Sequence, residues 1–157
     1  PEMFYAVEPS IQMYIAEKSE ALRELYVSSY SYAATANYIH QMATDKLVEL
    51  FGATHPQYTR QDFYKLELAT SGMVRSFMAR KCDRNFTMEQ KLRRFLSCSM
   101  TIYGVAEEKQ QQVIDRVLEM DLKSVADQLV ADAIHQADEQ YQEAERKGKA
   151  IEAARNG

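Results

Sequence analysis

The chain has no tryptophan, two cysteines, three prolines and five glycines in 157 residues. Two cysteines, Cys82 and Cys98, cannot build a disulfide framework. They read as free thiols in a reducing cytoplasm, with a redox pair as the rarer alternative. No run approaches the roughly 18 apolar residues that a membrane span requires. The N-terminus lacks the basic region, apolar core and small-residue cleavage site of a secretory signal. The expected location is cytoplasmic, with no membrane partner. The chain begins at Pro1 rather than Met, as a processed or truncated chain would. No stretch alternates apolar and polar residues over strand length, which argues against a sheet. The net charge of −4 argues against a free-standing surface for phosphate backbones, since that binding gathers Lys and Arg on one face.

Several chemistries lack their residues. His40, His55 and His135 lie far apart and share no metal-ligand spacing with Cys, Glu or one another. There is no Glu-x-x-His pair for a di-iron bundle and no Gly-rich phosphate loop. The acids Asp62, Glu67 and Asp83 show no pairing in sequence that would tune one as a catalyst. No metal, no cofactor and no enzymatic activity are therefore expected. Only His40, beside Ile39, is kept as a ligand contact.

What is present is the helical period. Ile11, Tyr14 and Ile15, then Leu22, Leu25, Tyr26 and Tyr30, mark two successive faces. Pro9 suits a first helical turn, or a kink if the helix enters from upstream. A third face, Ile39, Met42, Ala43, Leu47, Leu50 and Phe51, is followed by Gly52, read as a left-handed stop, and by a loop over 53–58. Thr59-Arg60-Gln61-Asp62 predicts a capped start for a helix whose face is Phe63, Leu66, Thr70, Met73, Val74 and Phe77. Gly72 sits inside it, where close approach of a helix or ligand would be a reason for its cost of about 1 kcal/mol. After a break at 81–86, Thr87-Met88-Glu89-Gln90 opens a helix that Gly104 closes. Two further amphipathic stretches are centred on Val113–Leu118 and on 122–134. From 138 the chain turns to mixed charge, predicting a solvated helical extension or a frayed tail. The reading is all-α, with about seven or eight helices.

Two biases stand out. Of ten tyrosines, Tyr5, Tyr14, Tyr26, Tyr30, Tyr32 and Tyr38 crowd the first quarter, and of eight methionines, Met42, Met73, Met78, Met88 and Met100 follow on later helices. Core packing accounts for many of them. As a cluster they also suit a pocket, because Met repacks around guests and Tyr carries a polar tip on an apolar ring. The pocket candidates are Tyr14, Tyr26, Tyr30, Tyr38, Met42, Phe63, Thr70, Met73 and Phe77. The second bias is basic: Arg75, Arg80, Lys81, Arg84, Lys91, Arg93 and Arg94. A solvated face paired with acids elsewhere, salt bridges across a dimer seam, and contact from Arg75 to an anionic ligand group are the three readings.

The order of segments resembles a known family. Ala21-Leu22-Arg23-Glu24-Leu25-Tyr26, Tyr38-Ile39-His40 and Leu47-Val48-Glu49-Leu50-Phe51-Gly52 come first. Asp62-Phe63-Tyr64-Lys65-Leu66-Glu67, Ala69-Thr70-Ser71-Gly72-Met73 and Phe86-Thr87-Met88-Glu89-Gln90-Lys91-Leu92 follow, then Arg94-Phe95-Leu96 and Ile102-Tyr103-Gly104-Val105. In that order they resemble the C-terminal ligand-binding region of TetR/AcrR-family transcriptional repressors, over about Leu22 to Leu129.

The resemblance implies an effector-sensing and dimerisation domain over 1–137, with 1–18 as the end of the helix linking it to a DNA-binding domain, and 138–157 as a polar tail. It implies a small, largely hydrophobic effector held between the helices at 11–30, 38–51 and 63–78, whose binding releases the intact repressor from its operator. Operator contact would come only through a helix-turn-helix that these residues do not include. It also implies a homodimer whose seam uses Leu92, Phe95, Leu96, Leu122, Val125 and Leu129. The competing class is a helical interaction or adaptor module with no pocket.

Overall fold

The computed structural model describes residues 1–156, with side chains described through 151 and at 154. Those residues form an all-α bundle of seven α-helices and one 3-10 turn, with no strand. The helices are α1 Glu2–Lys18, α2 Glu20–Ser29, α3 Ala33–Phe51, α4 Arg60–Ala79, α5 Met88–Ile102, α6 Glu107–Glu119 and α7 Leu122–Asn156.

α1 is the central element. Ala6, Ser10, Met13 and Ala16 recur at spacings of three and four and are all buried. They let α1 pack against α2, α4, α5, α6 and α7. Pro9 lies inside α1, the second of its two expected placements, and removes the N–H that would have bonded the Tyr5 carbonyl. The main core joins Met13 to Met78 of α4, to Leu92, Phe95, Leu96 and Met100 of α5, and to Val113, Ile114 and Val117 of α6. Leu92, Phe95 and Leu96 are 0 % exposed and Leu122 is 4 % exposed, so these four candidates for a dimer seam are interior to the single chain. Their helical stripe is apolar because it faces α1, and periodicity alone does not distinguish core from seam. Val125 and Leu129, from the same set, stay open at 43 % and 47 %.

The capping predictions are met. The Thr59 hydroxyl accepts from the Asp62 amide and the Asp62 carboxylate accepts from the Thr59 amide, while Thr87 and Gln90 repeat the arrangement. α5 ends as expected at Gly104, whose φ is +66°. The Val105 amide donates to the Met100 carbonyl and the Gly104 amide to the Thr101 carbonyl, a Schellman closure that needs a left-handed residue. Gly52 differs from its expected role. Its φ is −58°, and the chain leaves α3 by the turn Gly52–Thr54, with the His55 amide and the Thr54 hydroxyl satisfying the Phe51 carbonyl instead. Gly72 also departs from expectation, because a Cβ built there meets nothing within 4 Å.

α7 runs unbroken through 137 and 138, so the polar tail is a continuation of the helix rather than a separate segment. Its first two turns pack on α1 through Leu122 and Ala126, and every described side chain from Ala131 onward is exposed. No helix among the described residues is long and apolar enough to cross a membrane.

Candidate functional site

α3 leaves α1 at an interval and packs chiefly on α4. A cavity of about 140 Å³ opens between these three helices and the end of α2. Its walls are Tyr5, Pro9 and Gln12 of α1, Ile39, Ala43, Leu47 and Leu50 of α3, and Glu67, Thr70, Ser71 and Val74 of α4, with Tyr30 at the end of α2. The Glu8–Lys46 ion pair, 2.5 Å long and about half exposed on both sides, bridges α1 to α3 at its rim. The space accommodates several waters or one small organic molecule.

Tyr5 joins the cavity to an aromatic cluster. The Phe51 and Tyr103 rings stack with centroids 5.0 Å apart, and Tyr5 meets both edge-on at 5.8 and 5.1 Å. The Tyr103 hydroxyl lies 2.8 Å from Thr70 Oγ1, which also donates toward the Leu66 and Glu67 carbonyls. Burial pushes the Tyr5 phenol up to about 12, against the lowering pull of the Ser99, Thr70 and Tyr103 hydroxyls, and the Glu67 charge adds to the rise. Burial also raises Tyr103, with smaller contributions from Tyr5 and Glu67. These phenols are therefore neutral and act as hydrogen-bonding tips on apolar rings.

Glu67 is the unexpected member. Only 3 % exposed, it stands in the apolar stripe Phe63, Glu67, Thr70 and Val74, which is where α4 faces the interior. One carboxylate oxygen lies 2.7 Å from Nδ1 of His40, across from α3. Burial raises the Glu67 carboxyl above its usual range, while the His40 charge, its hydrogen bond and the Ser71 hydroxyl oppose the rise. The His40 ring lies between Tyr30, at 6.1 Å, and Tyr64, at 6.4 Å between centroids. In sequence the two residues are 27 apart, which hid a pairing that the search for paired acids missed. An acid in the middle of a buried helical stripe was the available signal. The pair alone does not make a nucleophilic site, because no Ser, Thr or Cys side chain hydrogen-bonds the imidazole among the described residues.

Of the pocket candidates, the structure brings Tyr30 and Thr70 to the cavity. Phe63 lies in the aromatic cluster with Phe51 and Tyr103, 1 % exposed. Met73 and Phe77 pack on the main core, Phe77 against Phe86 and Phe95. Tyr14 lies on another surface, beside Glu17 and Cys82. Tyr26, Tyr38 and Met42 border a shallow groove outside the rim, Tyr38 and Met42 being 66 % and 56 % exposed. The contributions of Tyr5, Glu67, Ser71 and the apolar α3 residues were not anticipated as lining.

The basic cluster is not one unit. Lys91 is 0 % exposed, with its ammonium 2.9 Å from Glu17 Oε1, bonded to the Arg80 carbonyl and over the Phe86 ring. Arg93 binds Glu89 and Asp115 on the surface, each at 2.9 Å. Arg75 is exposed near Tyr30. No family model, no curated protein and no solved structure matches this chain.

Proposed function

We propose that the chain is the effector-sensing and dimerisation domain of a TetR-type transcriptional repressor, with a small, largely hydrophobic effector held between α1, α3 and α4. The observation that supports this reading most is the cavity: apolar and tyrosine walls around a few convergent polar groups, the composition of a small-molecule site. α1 is both a wall of that cavity and the helix on which most of the bundle packs. A guest that prefers one placement of α1 shifts that placement, by as much as its affinity differs between the two states. In the intact repressor this carries occupancy to a helix-turn-helix beyond the linking helix. No catalytic step is assigned.

The partner surface is α7 rather than α5. Beyond the body, Val130, Ile134, Ala137, Tyr141, Ala144, Gly148 and Ile151 follow one another at intervals of four and three. That is a heptad seam, and roughly 40 Å of helix carries it without a neighbour. A lone helix draws little stability from propensity, so its apolar stripe argues for a partner. Asp138 and Glu145 flank the seam on one side, Gln140 and Lys147 on the other. A parallel second copy sets the acidic flank against the amide and ammonium, whereas an antiparallel one sets acid against acid. The occupant is therefore a second copy of this chain in parallel register.

A thermal-shift screen over chemically diverse small molecules tests the sensor reading, since a guest of the native state stabilises it by mass action. Saturable stabilisation lost on Ala43→Phe, which fills the cavity, is expected. A flat response across the screen refutes the pocket and leaves the adaptor reading, which the exposed α7 seam favours. Sedimentation at tens of micromolar tests the dimer, and a monomer refutes it.

A further inference from the structure

We propose that the cavity is a site for a small organic cation, an ammonium on a compact apolar body, bound by Glu67 in exchange for a proton of the Glu67–His40 pair. This rests on the small-molecule reading of the cavity and names the chemistry of the guest.

Charge bookkeeping inside the cavity leads to it. A carboxylate that is 3 % exposed is stable as an anion only with a positive partner. Each element packed around Glu67 offers a charged or titratable group. From α1 come Tyr5, a neutral phenol, and Glu8, which is spent on Lys46 of α3. Tyr30 at the end of α2 is kept neutral chiefly by its own burial, with Glu67 and Glu8 adding and Arg75 opposing. Tyr103, at the end of α5, is neutral as well. Arg75 of α4 is exposed and outside the walls. His40 remains as the one group placed to balance Glu67 from within hydrogen-bonding distance.

With one proton more than the ionised acid and neutral imidazole, the pair carries no net charge. With that proton gone it carries −1. An ammonium entering beside Glu67 supplies the missing charge itself, and the proton leaves to solvent. Tyr5 and Tyr30 line the same space, and aromatic rings are surroundings that attract ammonium groups. Neutral phenols and the hydroxyls of Thr70 and Ser71 would serve an uncharged guest equally well; the buried carboxylate is what selects the cation.

The test uses choline, whose quaternary ammonium does not titrate, and its uncharged carbon analogue 3,3-dimethylbutan-1-ol. Binding to the whole chain is followed by calorimetry or NMR between about pH 5.5 and 8. Choline should bind at least about tenfold more tightly than the alcohol, and its affinity should rise with pH, by up to about tenfold per unit where the pair is protonated. Glu67→Gln, close to isosteric, should abolish both the preference and the slope. His40→Gln, nearer the surface, should keep the preference and move the pH-dependent range upward, because Glu67 then loses the partner that favours its ionised form; an unmoved profile overturns the part of the pair in the proton exchange. Equal binding of both probes overturns the cation site while the cavity reading stands. Failure of choline when uncharged library members stabilise the protein has the same meaning. No stabilisation by any compound overturns both.

Discussion

Lys91 is the position where this fold should be most sensitive to a single change of charge. Its side chain is fully buried, its ammonium held by Glu17, the Arg80 carbonyl and the Phe86 ring face. Glu17 in turn accepts the Cys82 amide at 3.0 Å and lies 3.5 Å from a guanidinium nitrogen of Arg23. The cluster ties α1 and α2 to α5 and to the connection after α4. Lys91→Met keeps most of the stem and removes the charge. Deleting one partner of a buried pair typically costs about 3–5 kcal/mol. Glu17 retains two other partners and its side chain is 18 % exposed, so the cost falls below that range, at about 2–3 kcal/mol. In a domain of this length that corresponds to a melting point lower by about 5–10 °C.

Urea unfolding of wild type, Lys91→Met, Glu17→Gln and the double variant measures the coupling directly. pH adds a second dimension. Burial alone would raise the Glu17 carboxyl, but the Lys91 and Cys82 hydrogen bonds and the Lys91 and Arg23 charges outweigh it, and the folded value lies below the ordinary one. A carboxyl lowered on folding stabilises the native state above its unfolded pKa of about 4.3 and loses that contribution as pH falls through the folded value. The Lys91→Met penalty should therefore be full at neutral pH and shrink in acid. A variant as stable as wild type at pH 7, with coupling under about 0.5 kcal/mol, refutes the reasoning.

Two further outcomes follow from single positions and one from a truncation. Gly104→Ala should lower stability by about 1–2 kcal/mol in chemical denaturation, because the left-handed φ of +66° is strained for any Cβ and the His55 ring stands 3.3 Å from where that Cβ would lie. Gly72→Ala should raise stability by about 0.5–1 kcal/mol in the same assay, since the added methyl meets open space within a helix. Deleting residues 135–157 should leave the far-ultraviolet helical signal per residue and the unfolding midpoint at low concentration nearly unchanged, because every described side chain among them is exposed, and the proposed α7 dimer is then expected to sediment as monomer.

How far the sequence carries depends on the range of the interaction. Both capping boxes, the Gly104 closure and the break at 81–86 are local, set by residues three to five apart, and each is found where the pattern puts it. Gly52 shows the limit of the local rule. A glycine after a helix permits a left-handed stop, but Thr54 and His55 satisfy the same carbonyl through a 3-10 turn, and Pro56 confines His55 to non-helical backbone. Which stripe faces what is a tertiary matter. Leu92, Phe95 and Leu96 have the spacing of a seam and the burial of a core, because α1 already covers them. The tyrosine bias is a partial guide to the cavity walls. It named Tyr30, yet passed over Tyr5, whose ring is held by contacts with Phe51 and Tyr103, almost fifty and a hundred residues away.

Two acids make the sharpest comparison in the molecule, Glu67 buried and Glu17 partly exposed. Glu17 and Glu67 both sit inside helices and both lie on the interior side, yet their surroundings differ in kind. Glu17 is met by Lys91, Arg23 and a backbone amide, so charge and hydrogen bonds close around it and its carboxyl is held below the ordinary range. Such a group can do nothing further without breaking the cluster. Glu67 has one imidazole, a neighbouring hydroxyl and an open cavity, and its carboxyl is held above the ordinary range by burial. The Glu17 arrangement shows how the same bundle compensates an acid that has only a structural role. On the proposed reading, leaving Glu67 under-compensated costs stability in the empty protein, and a bound cation recovers it. The incomplete pairing of Glu67, set against the complete pairing of Glu17, is the contrast on which the proposed cation site between α1, α3 and α4 rests.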